Sequence, residues 1–198
     1  VLLSLFLAVL WATPGLAMLT AYDQMAGDLW SRHARFLLVR TNRVTLLVGK
    51  LLAAWSLFAI CLGLATGLGG LLLPWGEHGL EGGAGVLFLV RVWASISLYA
   101  LPYIAFLALT GVALAKPIAA LAAGMTALIG MFMVSDVFGG PEGMGPVFEA
   151  LGWLWPSAMK YHLLLGEAQW PLLSAAHLLG LTVLYLGMAH WRLQGRDV

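Results

Sequence analysis

Five long apolar runs decide which solvent this chain can fold in. They cover Val1 to Tyr22, Leu51 to Trp75, Val92 to Ala115, Pro117 to Ser135 and Ala168 to Trp191, and none contains Asp, Glu, Lys or Arg. At 1.5 Å rise per residue, about 20 apolar residues in a helix cross the hydrocarbon core of a bilayer. Each run is expected to be a helix, because a helix satisfies its own backbone hydrogen bonds where no water can. Only 10% of the 198 residues are charged and 62% are hydrophobic, with a mean hydropathy of +0.94. A soluble domain carries roughly 25% charged residues, so this chain could not cover its apolar surface in water. The expected fold class is an all-α integral membrane protein, a polytopic helical bundle in a single transmembrane domain over 1–198. Cys61, the single cysteine, lies inside an apolar run and excludes an internal disulfide. A net charge of +1 gives no nucleic-acid signal.

Charge placement orients the spans. The segment Asp23 to Lys50 carries Arg32, Arg35, Arg40, Arg43 and Lys50, half of all Lys and Arg present. Basic residues are retained on the cytoplasmic side of a bilayer, so this segment reads as a cytoplasmic loop, 23–50. Alternation then places Lys116 and the tail WRLQGRDV inside as well. Eight basic residues fall inside and only Arg91 and Lys160 outside. Localisation in the inner (cytoplasmic) membrane, with basic loop and C-terminus cytoplasmic, follows as an expectation. The amino terminus is then outside. Val1–Tyr22 lacks the basic start of a signal peptide, so it is expected to be a span preceded by a further, sixth span before Val1.

Several local features refine the layout. Pro14-Gly15 can kink the first span. Lys116-Pro117 alone separates the third and fourth, making a tight hairpin with Pro117 at the first helical position. The glycine-rich stretch after Gly76 is an outer loop, and GVLFLVR can begin the third helix early. The longer outer segment, 139–167, spaces Phe148, Leu151, Leu154 and Trp155 at helical intervals before Pro156 and Met159, Leu163 and Leu164 after it. It is expected to be an outer re-entrant or interfacial helical hairpin. Ala59-Gly63-Gly67 and Ala120-Gly124 place small residues four apart, a spacing that lets helices approach closely.

Chemistry is sparse. An enzyme would need polar groups meeting within the membrane, and the candidates are His177 in the last span, Asp136 at the end of the fourth, and Lys160 and His162 in the outer segment. No HExxH, GxSxG, GxxxxGK[ST] or Cys/His cluster occurs, so neither catalytic nor metal-binding residues are expected. His177 reads as a buried histidine bonded to a carbonyl or lining a polar cavity. Asp136 reads as a solvated residue beyond a helix end, and His33 as solvated among arginines.

The basic segment is more informative. Trp30 to Leu38 can form a short helix with Trp30, Ala34, Leu37 and Leu38 on one side and Arg32 and Arg35 on the other. Thr41-Asn42 breaks the pattern, and Val44 to Lys50 leads directly into the second span. A helix, a break and a rigid continuation into the membrane can transmit a push from a cytosolic partner. They can equally anchor the chain to anionic lipid.

RFLLVRTNRVTLLVGKLLAAW resembles the basic loop of type-two ABC exporter permeases, the transmembrane subunits of ABC transporters. In that family an acidic, glycine-containing stretch precedes the loop. Asp23-Gln24-Met25-Ala26-Gly27-Asp28 is similar to it, with Asp28 where the family has Thr and without its glutamates. LWPSAMKYHLLLG resembles the family's outer hairpin and WRLQGRDV its basic tail. The resemblance implies six spans with both ends inside, a second permease copy as homodimer partner, and a cytosolic ABC ATPase subunit that binds ATP and Mg, leaving no cofactor in this chain. It implies ATPase contact at Gly27, Asp28, Arg32, Arg35, Arg40 and Arg43, and export of a substrate that no residue constellation identifies. The rival expectation is a membrane protein without an ATPase, an assembly factor or a secondary transporter. The latter needs ionisable groups near mid-membrane, and this sequence places almost none there.

Overall fold

The computed structural model describes residues 2–72, 82–133, 153–159, 163 and 170–195, and among these no strand occurs. The helices are α1 (Leu2–Trp30), α2 (His33–Arg40), α3 (Arg43–Leu72), α4 (Gly82–Leu114), α5 (Pro117–Phe132) and α6 (Trp170–Gln194), with a 3-10 turn at Pro156–Met159. The protein is an all-α, multi-pass membrane helical bundle. Four helices are long and apolar enough to cross a membrane: Phe6–Trp30, Arg43–Leu71, Gly85–Leu114 and Pro171–Gln194. The predicted span 117–135 is seen as the 16 residues of α5; its predicted end lies outside the described residues, as do Asp136, Lys160, His162 and most of the 139–167 segment.

Helix α4 is the axis of the bundle. It packs against α1, α3, α5 and α6, and 67% of its span is buried, against 28–39% for the other three. The reason is its side-chain pattern: Ile96, Tyr99, Ala100, Tyr103, Ile104 and Leu107, at intervals of three and four, make one buried face, and Ser97, Ala105, Ala108 and Val112 on another side are buried as well, so α4 meets neighbours on more than one side. It starts at Gly82, ten residues before the predicted start of that span at Val92. Pro14 in α1 and Pro102 in α4 lie inside unbroken helices, as packing against neighbours in a bilayer permits.

The small-residue seams serve contacts within the chain. Trp93 of α4 donates its indole N–H to the Ala59 carbonyl at 2.8 Å, and a Cβ at Gly63 would sit 3.2 Å from that same nitrogen. Gly124 meets Leu107 and Met18, at 2.9 and 3.4 Å from a Cβ built there, which seats α5 against α4 and α1. Gly67 opens onto free space.

One described piece of the outer hairpin enters the bundle. Trp155 and Leu163 are buried. Trp155 makes edge-on contacts with Tyr103 and Phe106, at 6.0 and 5.2 Å between ring centroids, while Tyr185 of α6 packs on Phe106 at 5.4 Å and donates its hydroxyl to the Leu154 carbonyl. Phe106 lies eight residues from the end of α4 at Leu114, about 12 Å along the axis. Trp155 therefore packs beyond the middle of α4, within the bundle.

Candidate functional site

The basic residues that are far apart in sequence converge at one end of the bundle. There Met25, Leu47, Ala108, Val112, Ala189 and Leu193 form a small apolar cluster shared by α1, α3, α4 and α6. Around it lie Arg32, Arg35, Arg40, Arg43, Lys50, Lys116 and Arg192, with Asp23 and Asp28 as the acidic residues. In the opposite half Arg91 is the sole Lys, Arg, Asp or Glu among the described residues. The charge asymmetry expected from the positive-inside pattern is thus an asymmetry between the two ends of the fold.

The predicted loop is almost entirely helical. Helix α1 continues through Trp30, so Asp23, Gly27 and Asp28 belong to its last turns instead of a loop. The reason lies in local pairing: Lys50, two turns into α3, reaches Asp28 at 2.6 Å, and this lets both charges stay on helices near the membrane boundary. Gly27 leaves room for the Asp23 carboxylate, which a Cβ there would strike. The helix ends where Ser31 folds its N–H back to Gly27 O at 2.9 Å, its hydroxyl to the same oxygen at 2.8 Å, and Arg32 takes the left-handed conformation (φ 61°).

Two residues then suffice for each connection. Ser31-Arg32 joins α1 to α2, and Thr41-Asn42 joins α2 to α3. Thr41 is extended, and the Asn42 side-chain oxygen accepts the Thr45 N–H at 2.6 Å, the usual way an Asn starts a helix. Arg43 donates to the Leu193 carbonyl at 2.5 Å, tying the start of α3 to the end of α6. Lys116, in the α4–α5 turn, stands 5.5 Å from the Trp30 ring centroid, a cation–π distance. That turn is closed by Ala115 in the left-handed region (φ 53°) and by Pro117 in the first turn of α5.

Among the predicted contact residues, Arg32 and Arg40 face outward on and beside α2, whereas Asp28 and Arg43 are engaged within the chain. Arg35 lies in the middle of α2. Helix α2 turns Ala34, Leu37 and Leu38 inward, and opposite them Phe36 and Val39 stand 74% and 85% exposed. Trp30, expected on the inner side, is instead exposed beneath Lys116. Phe36 and Val39 were not singled out from the sequence, although three-residue spacing opposite Ala34 and Leu37 is the signal that marks a second apolar stripe.

Of the polar candidates, His177 lies among the described residues; it stacks edge-on with Trp153 at 5.8 Å, and among the described residues no group of three His, Cys, Asp or Glu could hold a metal. Tyr99 and Tyr103 share a hydroxyl hydrogen bond of 2.8 Å in the core, and the Tyr103 ring packs edge-on against both Tyr99 and Trp155. Set beside known proteins, the chain matches no family model and no curated protein.

Proposed function

We propose that the chain is the permease subunit of an ABC transporter, acting as a homodimer in the cytoplasmic membrane with two cytosolic ATPase subunits, and that α2 with its flanking arginines is the surface they push. One observation carries this reading: a short helix with an outward pair of large apolar side chains and basic neighbours is joined to two spanning helices by connectors of two residues each. Such connectors hold no slack, so a displacement of α2 passes to α1 and α3. From α3 it passes on to α6 through Arg43 and the Leu193 carbonyl. Closure of an ATPase pair on ATP would in this way bias the spanning helices between two arrangements. The resemblance of the Arg35–Trp55 stretch to the type-two exporter loop agrees with it.

A second reading uses the same residues. Phe36 and Val39 with adjacent arginines also suit insertion into an anionic lipid surface, with no ATPase involved. The two separate in one experiment: mild solubilisation of the tagged full chain, followed by identification of co-purifying subunits. The permease reading expects an ATPase with a nucleotide-binding loop of the GxxxxGK[ST] type, and expects Arg35→Glu with Arg40→Glu to lose substrate-stimulated hydrolysis while membrane insertion persists. Purification without any ATPase, or normal stimulated hydrolysis in the double variant, overturns it.

A further inference from the structure

A cleft of about 450 Å³ opens between the halves of α1, α3 and α4 remote from the basic end. Its volume falls within the ~300–1,000 Å³ of ordinary small-molecule sites. Its wall runs from Phe6 to Thr20 along α1 and from Phe58 to Gly70 along α3, a length of about 20 Å. Spread over that length, the space is a long, narrow slot. A helix, ~10 Å across, is too wide to be enclosed by it. A single polymethylene chain, whose carbons pack ~4 Å from their neighbours, is narrow enough.

The chemistry of the wall points the same way. No residue lining the slot carries a charge. Its three threonines have their hydroxyls already bonded to their own helices: Thr13 to Val9 O at 2.7 Å, Thr20 to Ala17 O at 2.8 Å, and Thr66 to Leu62 O at 2.9 Å. Their protons are thus engaged, so hydrogen-bond acceptors on an occupant would find no hydroxyl donor at this depth, a cost a hydrocarbon avoids. The lining belongs to membrane-spanning segments, where the surrounding solvent is itself lipid chain.

We propose that this cleft is a binding slot for one acyl chain of a membrane phospholipid. The proposal is independent of the ATPase reading. Gly69 lines the slot, and a side chain there meets nothing within 4 Å of its Cβ, so Gly69→Leu fills the slot without striking the protein. Gly67 is equally open but does not line it and serves as control. The full chain is reconstituted in phosphatidylcholine bilayers doped with a phosphatidylcholine that carries a diazirine on one acyl chain. After irradiation, adducts are mapped by mass spectrometry. The slot predicts saturable labelling approaching one lipid per chain, concentrated on lining residues such as Thr13, Leu16, Cys61 and Ala65. Overpacking by Gly69→Leu predicts a roughly tenfold fall, reproduced by Ala65→Leu should the glycine variant misfold, and no change in Gly67→Leu. Labelling that rises without saturation, spreads equally over exposed positions such as Ile60 and Leu64, and ignores both filling variants overturns the proposal. Cys61 also lines the cleft and is the sole cysteine, so an oxidant tests the other occupant: efficient Cys61–Cys61 crosslinking in the bilayer would show a second copy covering the slot and would equally overturn it.

Discussion

Two regions of this bundle are fastened differently. Around Tyr103, Phe106, Trp155 and Tyr185, helices α4 and α6 and the piece at 153–159 are joined by interlocking rings and buried aliphatic side chains. At the basic end a modest apolar cluster is supplemented by separate polar ties: Asp28 to Lys50, Arg43 to the Leu193 carbonyl, Asn42 to Thr45, and Lys116 over Trp30. Lipid is as apolar as a leucine side chain, so within the bilayer close packing holds helices together. Near the water boundary charges are tolerated and can tie helices individually. The first arrangement resists displacement everywhere at once, whereas the second can release one tie at a time, which suits an end that a partner moves.

The largest test of this contrast is Tyr103→Ala. Removing a fully buried ring leaves a cavity at the centre of the aromatic knot, and large-to-small changes of this kind cost about 3–5 kcal/mol. Thermal unfolding of the detergent-solubilised chain should show it; a loss below 1 kcal/mol would mean that the knot is not what holds Trp155 and its neighbours in the bundle. Asp28→Ala comes next. It leaves Lys50 unpaired at a partly buried site, between the ~0–1 kcal/mol of exposed pairs and the ~3–5 of buried ones, so about 1–2 kcal/mol is expected. A double-mutant cycle with Lys50→Ala should recover about 1 kcal/mol of coupling; additivity would show that the two charges do not interact.

Asn42→Ala should cost about 1 kcal/mol, the ordinary loss of a helix start; under the proposed function it also decouples α2 from α3 and makes hydrolysis by an ATPase less responsive to substrate. Unchanged stability would mean that the cap is not formed. The smallest structural effect is expected for Phe36→Ala, within about 0.5 kcal/mol because the ring is exposed; the proposed docking role adds weakened retention of an ATPase. Were this variant to unfold the chain, α2 would belong to the packed core and not to a docking surface.

Much of the architecture was legible because hydropathy and length suffice to identify spans. The short helix before Thr41-Asn42 and the turn at Lys116-Pro117 were legible for local reasons, since breakers and periodicity act within a few residues. What escaped depends on partners remote in sequence. Asp23 and Asp28 look like loop residues until Lys50 comes to meet Asp28. Arg43 looks free for a partner until α6 ends beside it, 150 residues away. Helical spacing around Trp155 indicated an amphipathic piece, but its depth depends on Tyr103 and Phe106, which only the fold supplies. Phe36 and Val39 could have been found from spacing alone; the arginines beside them drew attention to charge and away from the second apolar stripe.

A cytosolic partner can reach α2 only if the basic end lies on the cytoplasmic side of the membrane. Ser31 is exposed at the α1–α2 junction, so Ser31→Cys in a Cys61→Ser background places one reporter thiol there. A membrane-impermeant maleimide should leave it unmodified in sealed cells and label it once the membrane is permeabilised. Labelling of intact cells would put α2 and its arginines on the outer face, where no cytosolic ATPase can reach them.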